Sequence, residues 1–424
     1  MLAAMPPTPP PLPDPGEPRI RDRGDACPGA LRLHSADDGR LARLRLPAGR
    51  LTARQAMALA DAAESLGDGR LSVTSRGNAE LRGLADDCGA ELAALLSGAG
   101  LLPSPTHERV RNIVASPAAG LDGLGAADVQ LWARALDDLL CSAPWAAALS
   151  GRFLFVLDDG RGDVAGLGGD VTLVAEEGGT ALLRVGSQCL RVRAADAPGA
   201  ALAAARAFLT AAEAAGTGAW RVAELPADHR PDLSGLVGPG GATGLGDPGH
   251  PADGPVPVPP PPQAPPLAPG PLGAHALHVL APLGRLTAAQ LRALLPADEV
   301  RFTPWRGAVV VGAEHDRLPA LAAHGLITRP GEPGVGVTAC TGRPGCAKSL
   351  ADVRADAARA PAGLLAFHYS GCERRCGHPH GVWAGAVATG ADTYLVDGVP
   401  VPRTSLAEAV AAARAPSAHT TPTR

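Results

Sequence analysis

The feature that most restricts the fold of this chain is that part of it is written twice. Gly-Arg-Leu-Thr-Ala-Arg-Gln at 49–55 returns as Gly-Arg-Leu-Thr-Ala-Ala-Gln at 284–290. In both copies Thr and Gln stand three residues apart, Thr52 with Gln55 and Thr287 with Gln290. That is the spacing of a reciprocal capping box at a helix start. Strand patterns precede both helices: 41–46 alternates, with Ala42, Leu44 and Leu46 on one side, and 276–281 is strand-like. Further on, Thr-Ser-Arg-Gly at 74–77 is answered by Thr-Pro-Trp-Arg-Gly at 303–307, which makes Arg306 the counterpart of Arg76. Strands over 71–74 and 79–84 flank the first of these turns. Cap, helix, strand and Arg-Gly turn recurring in order argue for an internal duplication. A unit of three strands and one helix leaves a sheet edge and a face exposed, so the two copies are expected to pack together.

Between the copies, 234–273 is dominated by Pro and Gly, including Val-Pro-Pro-Pro-Pro-Gln-Ala-Pro-Pro-Leu at 258–267. Such a stretch cannot bury a core and reads as an extended linker. The chain then divides into a Pro-rich disordered tail at 1–18, a small unit at 24–104 and a larger α/β unit at 105–233. After the linker come a second small unit at 274–331, a second larger α/β unit at 332–412, and a tail at 413–424.

Four of the eight cysteines gather in the last of these units as Cys340-x5-Cys346 and Cys372-x3-Cys376, each pair in a Gly-containing turn. Two such pairs can bring four thiolates to one point, as a [4Fe-4S] cluster requires. Zinc is the rival, although zinc pairs commonly use two-residue gaps. Ser349 reads as a helix N-cap with Asp352 three residues on, and Leu350, Val353 and Ala357 share a helical face. Cys346 would then sit just before a helix N-terminus, where the dipole favours an anion. A strand over 364–369 would deliver Cys372. Cys27, Cys88, Cys141 and Cys189 are scattered and read as small core residues.

A net charge of -4 gives no global attraction to nucleic acid or anionic membranes, so anion binding has to come from local arginine clusters. No window supplies about eighteen uninterrupted apolar residues, and the N-terminus lacks the basic start and apolar run of a signal peptide. Free thiols in a cluster pattern fit a reducing cytoplasm. No Gly-rich nucleotide-binding turn appears between a strand and a helix, so reducing equivalents must arrive from a separate donor.

At these cysteines the sequence resembles the nitrite/sulfite reductase superfamily, which uses the same five- and three-residue gaps. Thr-Ala-Cys-Thr-Gly-Arg-Pro-Gly-Cys-Ala-Lys-Ser at 338–349 is most similar to its precorrin-3B synthase branch. The resemblance implies an α+β fold of duplicated sulfite reductase-like architecture: two ferredoxin-like half-domains that pair, and two α/β domains in pseudo-twofold arrangement. It implies one [4Fe-4S] cluster on Cys340, Cys346, Cys372 and Cys376, with Cys376 also facing a tetrapyrrole. Only the second α/β unit carries the cysteines, so one site per chain is expected.

A tetrapyrrole bearing acetates and propionates needs charge-assisted donors, preferably arginines. By resemblance to the family's tetrapyrrole segments, Arg76 and Asn78 in 74–83, and Arg109, Arg111 and Asn112 in 108–114, are contact candidates. Arg306 joins them as the duplicate of Arg76, and Lys348 as a neighbour of Cys346. Arg152 and Arg111 are the catalytic candidates. Oxyanion reductases of the family resemble Pro-Arg-Lys-Phe-Lys where this chain has Ser-Gly-Arg-Phe-Leu-Phe at 150–155. Arg152 can stand for the first lysine, whereas Leu154 in place of the second supplies neither charge nor proton. That departure favours a substrate that is the macrocycle itself.

The resemblance therefore implies an O2-dependent monooxygenase that hydroxylates precorrin-3A at C20 with γ-lactone formation, in cobalamin biosynthesis. It further implies a mononuclear non-haem iron and an external electron donor supplied by NADH. Two alternatives stand beside it: a sirohaem-dependent sulfite or nitrite reductase, and a non-catalytic iron-sulfur or zinc-binding protein. His378 and His380 could ligate iron, donate protons or simply be solvated.

Overall fold

The computed structural model describes Asp25, residues 27–236 and residues 264–415. The expected N-terminal tail at 1–18 and most of the linker lie outside the described residues.

The first copy runs β1 (His34–Ala36), β2 (Gly39–Leu44), β3 (Arg50–Leu51), α1 (Ala53–Ser65), β4 (Arg70–Val73), β5 (Ala79–Leu84) and α2 (Gly89–Gly98). An α/β unit follows: β6 (Ile113–Ala115), α3 (Val129–Ser142), β7 (Phe155–Asp158), β8 (Val171–Glu176), β9 (Thr180–Val185), β10 (Gln188–Arg193) and α4 (Ala197–Ala215). The second copy has β11 (Gly270–Leu272), β12 (Ala276–Leu280), β13 (Arg285–Thr287), α5 (Ala288–Ala293), β14 (Glu299–Phe302), β15 (Gly307–Val311) and α6 (Leu318–Ala323). The last unit has β16 (Val337–Ala339), α7 (Val353–Ala357), β17 (Ala366–Ser370), β18 (Trp383–Ala388), β19 (Thr393–Val396), β20 (Val399–Pro402) and α8 (Leu406–Ala413).

Both capping boxes form. Gln55 N–H donates to Thr52 Oγ1 at 3.2 Å while Thr52 N–H donates to Gln55 Oε1 at 3.0 Å, and Thr287 and Gln290 repeat the pair at 3.1 and 2.9 Å. Two orphan donors are satisfied at each helix start, which is why α1 and α5 begin where they do.

The copies pair by exchanging strands. β13 completes the first sheet, in the order β1-β2-β5-β4-β13, and β3 completes the second, β11-β12-β15-β14-β3. Leu51 stands opposite Val300, and Leu286 opposite Leu71. Leu44, Leu51, Leu71 and Leu81 therefore share one core with Leu286, Leu291, Val300 and Phe302. Each such side chain contributes about 1.5–3 kcal/mol when buried, so neither copy is complete alone.

The two α/β units repeat one topology. Strands β6, β7 and β8 are parallel and β9 and β10 antiparallel; β16, β17 and β18 are parallel and β19 and β20 antiparallel.

Several local expectations are corrected. The segment 270–272, read as linker, pairs with β12. Arg414, read as tail, is wholly buried, and its guanidinium donates to the carbonyls of Leu365, Pro361, Val335 and Gly363. The N-cap of α7 is Asp352, which accepts from Ala355 N–H at 3.1 Å; Ser349 instead donates to Ala351 O. Cys346 thus lies well before the helix, without the expected dipole, and Leu350 is largely exposed. The strand begins at Ala366 and Leu364 is solvent-exposed.

The two Arg-Gly turns align one residue away from the sequence match. Thr74 N–H donates to Asn78 O and Gly77 N–H to Thr74 O, while Thr303 N–H donates to Gly307 O and Arg306 N–H to Thr303 O. Arg306 is therefore the counterpart of Gly77, and both are left-handed, at φ 62° and 68°. A non-glycine residue there is strained by about 1–3 kcal/mol, a cost that the contacts of the Arg306 side chain must offset.

Candidate functional site

A cavity of about 450 Å³ opens where the paired copies meet the last α/β unit. Seven arginines line it: Arg43 and Arg45 from β2 and its end, Arg76 from the β4–β5 turn, Arg152 from before β7, Arg285 from β13, Arg306 from the β14–β15 turn and Arg354 from α7. Among the described residues Glu80 is the one carboxylate in the wall, and Asn78, the hydroxyl residues Ser72, Thr74, Ser75 and Thr341, and Cys27, Cys340 and Cys376 complete its polar lining.

Three of these arginines are ion-paired: Arg43 with Glu80 at 2.6 Å, Arg285 with Asp68, and Arg152 with Glu224 at 3.7 Å. Among the described residues the other four have no carboxylate partner and hold carbonyls. Arg45 donates to Arg109 O and Gly151 O, Arg76 to Arg152 O, Arg306 to Gly377 O and Arg354 to Leu283 O. Burial, reinforced by neighbouring cations, pushes Arg45, Arg76 and Arg354 each down to about 10, and burial lowers Arg306 as well. All four remain cations near neutral pH. Taking an unpaired guanidinium out of water costs several kcal/mol, and an arriving carboxylate would offset that cost.

Cys340 and Cys376 stand at one wall, and all four cysteines of the last unit are free thiols. Cys340 follows β16 and accepts a hydrogen bond from Gly371 N–H at its sulfur, 3.2 Å. Its pKa is pushed up by burial and further by the nearby Cys376 and Cys372 sulfurs. The loop bearing Cys346 is tied to the Cys372 turn by Leu350 N–H donating to Gly371 O at 2.8 Å. It is also tied to the first copy, since Arg82 grips Asp38 with two bonds and reaches Gly345 O, and Ala347 N–H donates to Asp37. A tetrahedral zinc with Zn–S near 2.3 Å would draw its sulfurs to about 3.8 Å from one another. Among the described residues no three cysteine sulfurs lie within 4.8 Å of each other. The Cys340, Cys372 and Cys376 sulfurs are near enough to interact, a donor set able to take up a metal centre.

Of the sequence candidates, Arg76, Asn78, Arg152 and Arg306 line the cavity with Cys340 and Cys376. Others are elsewhere. Arg111 is buried against Asp137 of α3 in a two-pronged pair of 2.6 and 2.5 Å, so its charge is already spent and it is no pocket contact. Arg109 donates to Asp25 O. Asn112 is fully buried, accepting from Asn78 and donating to Phe153 O, a joint between the first copy and the α/β unit. Lys348, the only lysine in the chain, is exposed outside the wall.

Leu154 is not in the wall either. It packs with Val114, Val156 and Val164 against Trp305, so packing explains an apolar residue there. The alternation of 41–46 held the signal for Arg43 and Arg45, which occupy the face opposite Ala42, Leu44 and Leu46. Nothing local marked Arg285, Arg354 or Cys27, and Cys27 lines the cavity instead of filling the core.

For a separate mononuclear iron the described residues offer no closely set ligand group in the cavity wall. The closely set ligand group among the described residues, Asp158, Asp159 and Asp163, is outside the cavity wall. Its oxygens serve the loop. Asp158 accepts from the backbone of Gly160, Gly162, Val164 and Ala165, Asp159 pairs with Arg161, and Asp163 accepts from Ser116.

Comparison with known proteins agrees with this architecture. Residues 34–97, most of the first copy, match the nitrite/sulfite reductase ferredoxin-like half domain. Over 105 residues, 24% of the chain and 20% of the relative, the sequence is 38% identical to a ferredoxin–nitrite reductase of Synechococcus elongatus. Over 138 residues, 32% of the chain and 29% of the relative, it is 32% identical to a precorrin-3B synthase of a Sinorhizobium species. The fold is similar to that of Mycobacterium tuberculosis NirA, with TM-score 0.62 and 19% identity over 87% of this chain and 79% of that one. Residues 34–97 thus carry a nitrite/sulfite reductase ferredoxin-like half domain, within an α+β fold similar to that of NirA.

Proposed function

We propose that this protein is an oxidoreductase acting on a polycarboxylated tetrapyrrole, with the reaction of a precorrin-3B synthase: O2-dependent hydroxylation of precorrin-3A at C20 with closure of a γ-lactone. The observation that carries this reading is the set of four cavity arginines, Arg45, Arg76, Arg306 and Arg354, without a carboxylate among the described residues. A single small oxyanion would leave most of them unpaired, whereas a macrocycle with acidic side chains on several edges can meet all four. The similarity to a precorrin-3B synthase supports the same choice.

In this reading Arg45 and Arg76 orient one edge of the macrocycle and Arg306 and Arg354 the other. Arg152, stacked at 5.8 Å over Trp220, closes the side towards solvent. A [4Fe-4S] cluster held by Cys340, Cys346, Cys372 and Cys376 would supply one-electron transfer at the wall. Incorporating one atom of O2 and reducing the other to water consumes two electrons and two protons, so a separate donor drawing on NADH is required. The chain's cytoplasmic location belongs to the same proposal.

The test is to offer precorrin-3A to anaerobically reconstituted protein with and without O2 and record product mass. A gain of one oxygen atom only with O2 supports the reading. Sirohaem absorbance with sulfite or nitrite turnover would instead support a reductase, the reading favoured by the match to a ferredoxin–nitrite reductase. Zinc alone, with no tetrapyrrole bound, would support a non-catalytic protein.

A further inference from the structure

The turn carrying Cys376 has an anchor that neither the cysteine spacing nor the arginine wall explains. Arg375 is left-handed at φ 47°, and Gly377 and Gly381, both at φ 77°, bracket His378, Pro379 and His380. Few backbone bonds hold the turn: Arg375 N–H donates to Cys372 O at 3.2 Å and His378 N–H to Arg375 O at 3.3 Å. Cys376 itself is exposed. One side chain from the second copy reaches in, Arg306, whose Nη2 donates to Gly377 O at 2.5 Å.

On the other side the His378 ring stacks on Trp383, with centroids 5.1 Å apart and planes 20° apart. Trp383 starts β18 and meets the edge of His368 at 5.9 Å and 83°. His368 is fully buried on β17, its Nδ1 set by Thr338 Oγ1 at 2.8 Å and its Nε2 without a hydrogen bond. The same imidazole lies against the Cys376 backbone and meets the indole edge-to-face, so it touches both the turn and the ring that seats it. Gly385 completes the arrangement: a Cβ there would lie 2.7 Å from Trp383 Cζ3, so only glycine leaves room for the ring.

We infer that Trp383, braced by His368, is a positioning residue that seats His378 and thereby fixes the Cys376 turn at the cavity wall. The consequence for a bound cluster rests on the thiolate reading of Cys376, while the positioning itself does not. Two ring contacts and one arginine thus locate a thiol that the backbone alone leaves loose.

The experiment is pulsed iodoacetamide labelling of the full-length, cluster-free protein, with each cysteine quantified by mass spectrometry. Because Cys376 is already exposed, Trp383→Leu is expected to change its labelling rate through the thiol's surroundings, by about 2-fold or more, the smaller end of what loss of an aromatic pair commands. Cys340 labelling should stay near its native rate, and Trp383→Phe, which keeps a stackable ring, should restore the native pattern. Unchanged Cys376 labelling in Trp383→Leu, or equal effects of Leu and Phe, would overturn the inference. If Trp383→Leu labels every cysteine alike through unfolding, His378→Ala decides, because it removes the same stack from the exposed side. Labelling that follows this pattern in a protein that never takes up iron would leave the positioning intact and sink the cluster reading instead.

Discussion

The two α/β units have the same strands in the same order, yet the hollow beside their central strands is filled in opposite ways. Ser116 N–H donates to Leu157 O and Cys340 N–H to Tyr369 O, each at 3.0 Å, so Ser116 and Cys340 are equivalent residues at the ends of β6 and β16. The loops after β7 and β17 are likewise equivalent, one carrying Asp159 and Asp163 and the other Cys372 and Cys376. In the first unit the equivalent polar groups satisfy one another across the loops after β6 and β7: Ser116 donates to Asp163, and Arg161 pairs with Asp159 and Asp122. In the second unit the thiols are free, and Cys340 and Cys376 line the cavity beside arginines that have no carboxylate partner among the described residues. Duplication supplied two hollows, and self-satisfaction of the first leaves the second as the place where external groups can be held.

The sharpest way to break this comparison is to exchange its contents. Cys340→Ser or Cys372→Ser should abolish most iron uptake and visible absorbance on reconstitution, whereas Ser116→Ala at the equivalent position should change neither. Full iron content in Cys372→Ser would show that the second hollow is not the cluster site.

A smaller contrast separates arginines already paired from those that wait for a ligand. Arg111→Ala leaves Asp137 buried without its partner and should cost on the order of 3–5 kcal/mol in denaturant unfolding. Arg354→Ala removes a buried cation without a carboxylate and should leave stability unchanged or slightly higher, while weakening binding of a polycarboxylated porphyrin. Equal destabilisation by the two substitutions would erase the distinction between structural and ligand-facing arginines.

The smallest effect concerns the first hollow and pH. Burial, with Asp158 and Asp159 adding their charge, raises Asp163 from 3.8 to about 7. The folded chain then holds this proton more tightly than the unfolded one. Its stabilisation is complete below about 3.8 and is lost as pH rises through about 7. Between those two values unfolding free energy should fall by up to about 1.4 kcal/mol per pH unit on this account, and above about 7 the slope vanishes. Asp163→Asn should flatten that slope between about pH 4 and 7, and an unaltered slope there would assign it to other groups.

What could be read from the chain directly was whatever depends on near neighbours. Thr52 with Gln55 and Thr287 with Gln290 announce helix starts because a capping box closes within three residues. The cysteine pairs are legible for the same reason, since a short gap limits how far two sulfurs can separate. Arg76 and Arg152 could be nominated because short segments around them resemble those of a known family, and Arg306 because the duplication repeats the Arg-Gly turn. The register of the duplicated turns could not, because matching Arg to Arg ignores which position must be left-handed, and there Arg306 replaces Gly77.

Tertiary structure alone decided the rest. Arg111 looks like a ligand contact until Asp137, 26 residues away, arrives on α3 to take its charge. Leu154 looks like a pocket residue until the sheet turns it into the cluster of Val114, Val156 and Val164. Arg45, Arg285 and Arg354 belong to three distant segments, and only the exchange of β3 and β13, followed by docking of the last unit, brings them to one cavity. Local pattern determines which residues can start a helix or pair their sulfurs. Which charges meet a partner and which are left waiting depends on contacts between segments hundreds of residues apart, and folding makes those contacts only when burial of the shared core offsets the entropy of bringing them together.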